Sequence, residues 1–451
     1  MGKTVALAAE DAAYCRDLFE RYYRSAPLPT PPELPHREFA FAPFEEGSPS
    51  GGSRGFAAFL RHRSLRDAAE LRRNLVGLVP RHAYYSTSIY EKPDHPNMKD
   101  KGWLGADLVF DLDADHLREA EKLSYPGQLL LARDRFRYLL DEFLFGDFGL
   151  KEHEVTLTFS GGRGYHAHVH SDGFRRLTGG ERRELVDYIM GTGFDPLQGA
   201  FYDEVPQKEE GARASSRTYR RIRAPTDPGW KGRMSRGVHR WIEERRTMDE
   251  SALAVEVEML LSRPAGGASA LPLEAASSPI KPSREARVIA KDLSRPETQR
   301  AILENQTLEA FPHDRSGEKV RDFLGAMLRG LSVDLQGEMD APVTTDVHRL
   351  IRMPGSLHGG TGFVVRTLRR DELDSFDPFV LALPSWAPAD GGGSAKGTRA
   401  TVTLAQDVDY PFGMGGLRGK AGEHLELDPP QTLFLLLRGE ATLRSGTPPA
   451  P

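Results

Sequence analysis

The stretch Gly105-Ala106-Asp107-Leu108-Val109-Phe110-Asp111-Leu112-Asp113-Ala114-Asp115 admits few structures. Its apolar run Leu108–Phe110 reads as a buried strand, and that strand ends in two carboxylates. Side chains alternate along a strand, so Asp111 and Asp113 face the same side a few ångströms apart. Carboxylates so placed repel, and each raises the pKa of the other unless a cation lies between them. Hard oxygen ligands of this kind suit Mg²⁺ or Mn²⁺. A polar turn closing a strand is the other reading of the segment.

A second segment, Thr158-Phe159-Ser160-Gly161-Gly162-Arg163-Gly164-Tyr165-His166, runs from a strand through a glycine-rich turn into another strand. Glycines let backbone N–H groups approach phosphate oxygens, and Arg163 and His166 can add charge-assisted bonds. The spacing is neither a Walker A loop nor a dinucleotide fingerprint. A tight hairpin with no ligand fits equally. His166, His168 and His170 also share a face, which raises a zinc hydrolase as a rival. Ser171-Asp172-Gly173 follows them where such enzymes would continue with an Asp-His pair.

The third segment, Asp340 to Gly359, is dense in Asp, Arg and His and closes on Pro354-Gly355 before an expected strand at Thr361–Arg366. It could complete a metal–triphosphate site or form a salt-bridged surface helix. Further strands are expected at Ala83–Tyr90, Ala106–Leu112, Val155–Phe159 and Tyr165–His170. Helices are expected after a Ser64 cap, with Leu65, Ala68, Leu71 and Leu75 on one face, and from about Leu129 to Leu144.

Composition removes several classes. Among 451 residues there is one cysteine, Cys15, which excludes a disulfide framework, a Cys-rich zinc finger and an iron–sulfur cluster. Apolar runs such as Leu433–Leu437 fall far short of the roughly 20 residues that span a bilayer. The net charge of −5 rules out a uniformly basic nucleic-acid binder. Between Gly211 and Arg246, however, 11 Lys/Arg stand against 3 Asp/Glu, a local +8 that leaves −13 for the rest. Tyr219, Trp230 and Trp241 are interleaved there, and cations with stacking rings suit a nucleic-acid strand. A solvated basic loop is the alternative. Residues 263–283 and 384–400 read as linkers rich in Pro, Gly, Ala and Ser, and the tail 445–451 as disordered. The chain is expected to be soluble and cytoplasmic.

Taken together, these segments resemble the small catalytic subunit of the archaeal and eukaryotic type of DNA primase. The resemblance also takes in Arg37-Glu38-Phe39, His82-Ala83-Tyr84-Tyr85-Ser86, Glu423–Leu427 and Phe434–Gly439. It implies that Asp111, Asp113 and Asp340 are the catalytic carboxylates and hold Mg²⁺ or Mn²⁺. It implies that Ser160, Arg163 and His166 bind the incoming triphosphate, with Arg352 and His358 closing from the other side and Arg37 lining the nucleotide pocket. Asp115, His168 and His170 are left outside the site. Archaeal members usually carry a Cys/His zinc knob after the paired aspartates; residues 116–130 contain no cysteine, so no Cys-ligated zinc is expected.

The fold so implied is a mixed α/β (α+β) primase-type core, residues 1–190 and 321–383, with a mostly helical insertion at 191–320 and a small C-terminal segment at 401–444. The implied reaction is DNA-directed nucleotidyl transfer, making short RNA primers, and possibly DNA ones, on single-stranded DNA from nucleoside triphosphates. A primase large subunit would be the partner. A repair or translesion polymerase of the same superfamily, or a catalytically silent single-strand-binding subunit, are the alternatives. Sugar preference, primer length and start site are not encoded in any visible pattern.

Overall fold

The computed structural model describes residues 5–44, 59–204, 219–262, 280–307, 311, 318–334, 337–386, 399–413 and 415–444. In it Leu108–Asp113 is a strand with Leu108, Val109, Phe110 and Leu112 buried. It forms one edge of a four-stranded antiparallel sheet, followed in space by Gly164–Val169, Val155–Phe159 and Arg366–Leu368. A second antiparallel sheet runs Leu350–Arg352, His82–Ser86, Phe39–Ala42 and Leu60–Arg63. Both sheets being antiparallel, with helices packed on them, the core is α+β.

Helix Ala9–Ser25 turns Tyr14, Leu18, Tyr22 and Cys15, Phe19, Tyr23 inward at helical spacing. They meet Phe39 and Phe41, and Leu71 and Leu75 of helix Ala68–Leu78. Each such side chain contributes about 1.5–3 kcal/mol on leaving water.

Several expected boundaries shift. The second helix is capped by Asp67 and not Ser64, its carboxylate accepting from the Glu70 N–H at 2.8 Å. Ala83–Tyr90 is two strands, His82–Ser86 and Ser88–Tyr90, the latter paired with Trp103–Ala106. Ala106–Leu112 likewise divides at Asp107. The break is common to both, because the Asp107 N–H donates to the Thr87 carbonyl at 2.9 Å where the chain passes between sheets. Thr361–Arg366 is not a strand: only Arg366 enters one, and Gly362, at φ +72°, bends the chain before it. The helix expected from Leu129 begins at Tyr125 behind a Ser124 cap, and π-helical turns Leu139–Asp147 follow Tyr138.

The chain divides into two compact units. The first comprises 1–141, 149–186 and 338–451 and contains both sheets. Its C-terminal part adds the sheet His424–Leu427, Ala400–Leu404, Ala441–Leu443, the ribbon Val408–Tyr410 with Leu417–Gly419, and helix Pro429–Arg438. The second comprises 142–148 and 187–337 and takes in helix Glu318–Asp334, beyond the boundary expected at 320.

Within the second unit two of the rings expected to stack on nucleic acid, Trp230 and Trp241, are core. Trp230 and Trp241 are buried on helix Gly229–Glu244 with Met234 and Val238, one turn apart on a single stripe. Arg233 is buried too, 2.6 Å from Asp147 and 3.9 Å from the centre of the Phe143 ring. Arg245 pairs with Glu256 and covers Trp241. Part of the local positive charge is thus neutralised inside this unit. Residues 211–218, and most of the two linkers and the tail, lie outside the described residues. Among the described residues no helix is long and apolar enough to cross a membrane.

Candidate active site

Strand register builds the first wall of the site. Asp111 stands opposite His166, and Asp113 opposite Gly164. Opposed residues of an antiparallel pair project to one face, and His166 Nε2 lies 3.4 Å from an Asp111 carboxylate oxygen. A side chain at 164 has no room: its Cβ would sit 2.4 Å from the Leu112 carbonyl oxygen and 2.9 Å from Asp113 Cα. Gly164→Ala should therefore push the aspartate strand and the turn apart, at about 1–3 kcal/mol. Expected are a lowered melting temperature and a loss of nucleotide binding; an alanine variant that melts and binds like wild type would refute this packing.

Asp340 comes from the far end of the chain. Its N–H donates to the Asp111 carbonyl at 2.7 Å. It precedes the short helix Ala341–Thr345, yet its carboxylate caps none of that helix's N–H groups. Asp111, Asp113 and Asp340 all line one cavity of about 860 Å³.

Beside the aspartate strand lies the turn Ser160–Gly164, which also lines the cavity. Ser160 Oγ accepts from the Gly162 and Gly164 N–H groups, each at 3.3 Å, and Gly161 takes φ +76°. Arg163 leaves the turn toward the carboxylates, paired with Asp115 and 3.9 Å from Asp113. The second sheet supplies Arg352, which donates to His82 Nδ1 at 2.7 Å and lies over Tyr84. His358 packs 5.5 Å from His82, ring to ring, with its Nδ1 within 3.2 Å of Gly360 N and of Thr361 Oγ1.

Asp111 and the imidazoles of the cavity shift in opposite directions. Asp111 is pushed up to about 7, by burial first and then by Asp113 and Asp340. Burial, and after it neighbouring cationic or imidazole groups, pull His82, His166 and His358 well below the ordinary histidine range. These imidazoles are neutral near pH 7 and can donate or accept as a ligand requires. Three carboxylates bordering one cavity are a donor set whose chemistry fits hard divalent cations. Among the described residues no three such groups are already closed around a point, so the carboxylates border the cavity separately.

Arg37 does not line this cavity. It is fully buried, its guanidinium donating to the Thr87 carbonyl at 2.6 Å, the Ser86 carbonyl at 3.1 Å and the Asp107 carboxylate at 2.7 Å. Nor do His168 and His170. His168 stacks on Tyr85 at 6.2 Å, and His170 lies 3.5 Å from Asp107. Asp115, left aside in the sequence reading, does line the cavity, as do His82, Arg349 and Arg438. Asp115 had a local signal, an aspartate continuing the Asp111, Asp113 alternation. His82, Arg349 and Arg438 stand in segments that carry the resemblance, but no local spacing joins them to the aspartates.

The family model described as DNA primase small subunit matches residues 110–370. The chain is 35% identical over 376 residues to the DNA primase small subunit PriS of Haloarcula marismortui, covering 82% of this chain and 85% of that protein. It is 34% identical to the same-named protein of Methanocella arvoryzae, over 82% of this chain and 86% of that one. With that of Halorubrum lacusprofundi it shares 33% identity over 95% of this chain and 97% of that one. An edge strand carrying paired aspartates, a third aspartate hydrogen-bonded to it, and matches of this extent lead to one conclusion: the chain belongs to the DNA primase small subunit family.

Proposed function

We propose that this chain is the catalytic subunit of a DNA primase, joining nucleotides into short primers on a single-stranded DNA template. The observation that supports this most is the meeting of carboxylates, guanidinium groups and imidazoles in one cavity. Asp111, Asp113 and Asp340 border it together with Arg163, His166, Arg352 and His358. Such a cavity suits a nucleoside triphosphate whose α-phosphate lies toward the carboxylates and whose β- and γ-phosphates lie toward the guanidinium groups.

Asp111, Asp113 and Asp340 are the residues to hold Mg²⁺ or Mn²⁺. Bound there, such cations polarise the attacking 3′-hydroxyl and offset charge on the departing pyrophosphate. Arg163 is poised for a switch of partner, since triphosphate oxygens compete with Asp115 for the same guanidinium. Arg352 can turn from His82 to phosphate in the same way. Ser160 fixes the turn from within, so its backbone needs no reordering when nucleotide arrives.

De novo dinucleotide synthesis from ribonucleotides on an unprimed template tests the proposal and separates a primase from a repair polymerase, which extends ends only. Arg163→Ala and His358→Ala should each raise the KM for nucleotide by about 10- to 100-fold, with single-stranded DNA affinity nearly unchanged. Equal losses in both affinities would contradict the phosphate role.

The name small subunit, carried by the relatives, implies a larger partner, and we extend it to a heterodimer here. This subunit alone is then expected to extend primers but start them poorly. Initiation rates measured with and without the large subunit on the same template decide it, and equal rates would refute it.

A further inference from the structure

The C-terminal segment reaches the cavity at Leu437 and Arg438. Arg438 ends helix Pro429–Arg438, and Gly439 at φ +71° turns the chain back, so that Glu440 pairs with Arg438 at 2.8 Å. The Arg438 guanidinium lies 4.3 Å from the centre of the Tyr125 ring, 5.1 Å from Phe434 and 5.6 Å from Tyr410. Tyr410 in turn donates its hydroxyl to Glu440 at 2.8 Å. A planar cation held by a carboxylate and packed against aromatic faces has little freedom to move.

Tyr125 is the next link. Its ring is buried, and its hydroxyl donates to the Gly162 carbonyl at 2.7 Å. The adjacent Gly161 carbonyl is held by Thr361 Oγ1 at 2.5 Å. A peptide bond is planar, so fixing the Gly162 carbonyl also fixes the direction of the Arg163 N–H and the point from which the Arg163 side chain leaves. Glycines at 161 and 162 would otherwise let this turn sample many conformations.

We propose that Arg438 and Tyr125 are positioning residues: the C-terminal segment, through Arg438, holds Tyr125 so that its hydroxyl sets the Gly162–Arg163 peptide in the triphosphate-binding orientation. The proposal rests on the nucleotide-binding reading above and assigns the C-terminal segment a part in it. Loss of the tether loosens the Gly162–Arg163 peptide while Arg163, His166, Arg352 and His358 all stay in place.

The test uses the full chain with Tyr125→Phe, Arg438→Met and Arg438→Lys. Tyr125→Phe should raise the KM for nucleoside triphosphate about fivefold, the worth of one neutral hydrogen bond, with kcat, DNA affinity and melting temperature near wild type. Arg438→Met should do at least as much, and Arg438→Lys, keeping the charge but not the planar stack, should recover only part. Hydrogen exchange of the Ser160–Gly164 amides should quicken in Tyr125→Phe and Arg438→Met, with or without nucleotide chemistry. Wild-type exchange in that turn overturns the proposal, as does a wild-type KM. Faster exchange in a chain whose wild type binds no triphosphate would leave the tether standing and defeat the functional reading instead.

Discussion

Asp111→Asn is expected to reduce primer synthesis by at least about 1,000-fold and, in metal-free buffer at pH 8, to melt above the wild type. The two outcomes have one cause. In the folded protein Asp111 is raised from 3.8 to about 7 by burial and by facing Asp113 and Asp340. Between about pH 4 and 7 the folded state therefore keeps a proton that the unfolded chain has given up. Stability falls as pH rises through that window, and the full penalty stands above it. Each unit of the rise is worth about 1.4 kcal/mol, and asparagine carries none of it. Mg²⁺ or Mn²⁺ should relieve the same repulsion, so the cation should raise the wild-type melting temperature and shift the Asn variant much less. Asp113→Ala and Asp340→Ala should likewise lose synthesis while staying folded. An Asp111→Asn protein that melts below wild type at pH 8, or responds fully to the cation, would remove Asp111 from the metal role.

How far the sequence carried the reader depends on the reach of each contact. Asp111 and Asp113 were legible because strand alternation is local, and the Ser160–Gly164 turn because glycines mark it. Asp340 was read through family resemblance; its own neighbourhood allowed a surface helix. What joins it to Asp111 is a backbone hydrogen bond spanning more than two hundred residues, which leaves no local trace. The same holds for Arg438, brought to the cavity by the fold of the last forty-odd residues. Other misreadings had signals that lost to louder ones. Asp67 with Glu70 three residues on is a capping pair at least as good as Ser64. Trp230, Met234, Val238 and Trp241 recur at helical spacing, the mark of a buried stripe, although arginines between them suggested a nucleic-acid face. Buried cation–ring packing and exposed base stacking draw on the same residues, and periodicity is what separates them.

Arg37 is the residue whose reassignment has the largest consequence for stability. Its partner Asp107 stands immediately before the strand Leu108–Asp113, and its carbonyl partners Ser86 and Thr87 sit where the second sheet ends. Arg182 adds bonds to the Ala106 and Asp107 carbonyls at 2.7 and 3.0 Å. This network fixes how the strand carrying the catalytic aspartates leaves one sheet to join the other. Against the cost of burial, His170 and Arg37 hold the Asp107 carboxyl down to about 2. Its contribution is present above about pH 4 and disappears only as pH falls through 2. Arg37→Met would leave a charged Asp107 buried without its main partner, at about 3–5 kcal/mol. The expected result is a large drop in melting temperature with an unchanged KM for nucleotide in the fraction still folded. Replacing both residues, as in Arg37→Met with Asp107→Asn, should restore part of the stability, because no unpaired carboxylate charge is then buried, although the Ser86 and Thr87 carbonyls still lack their donor. Had Arg37 lined the nucleotide pocket, the single variant would show the opposite pattern: a wild-type melting temperature and a raised KM. Thermal melts and nucleotide titrations of the three proteins side by side separate a strut from a ligand.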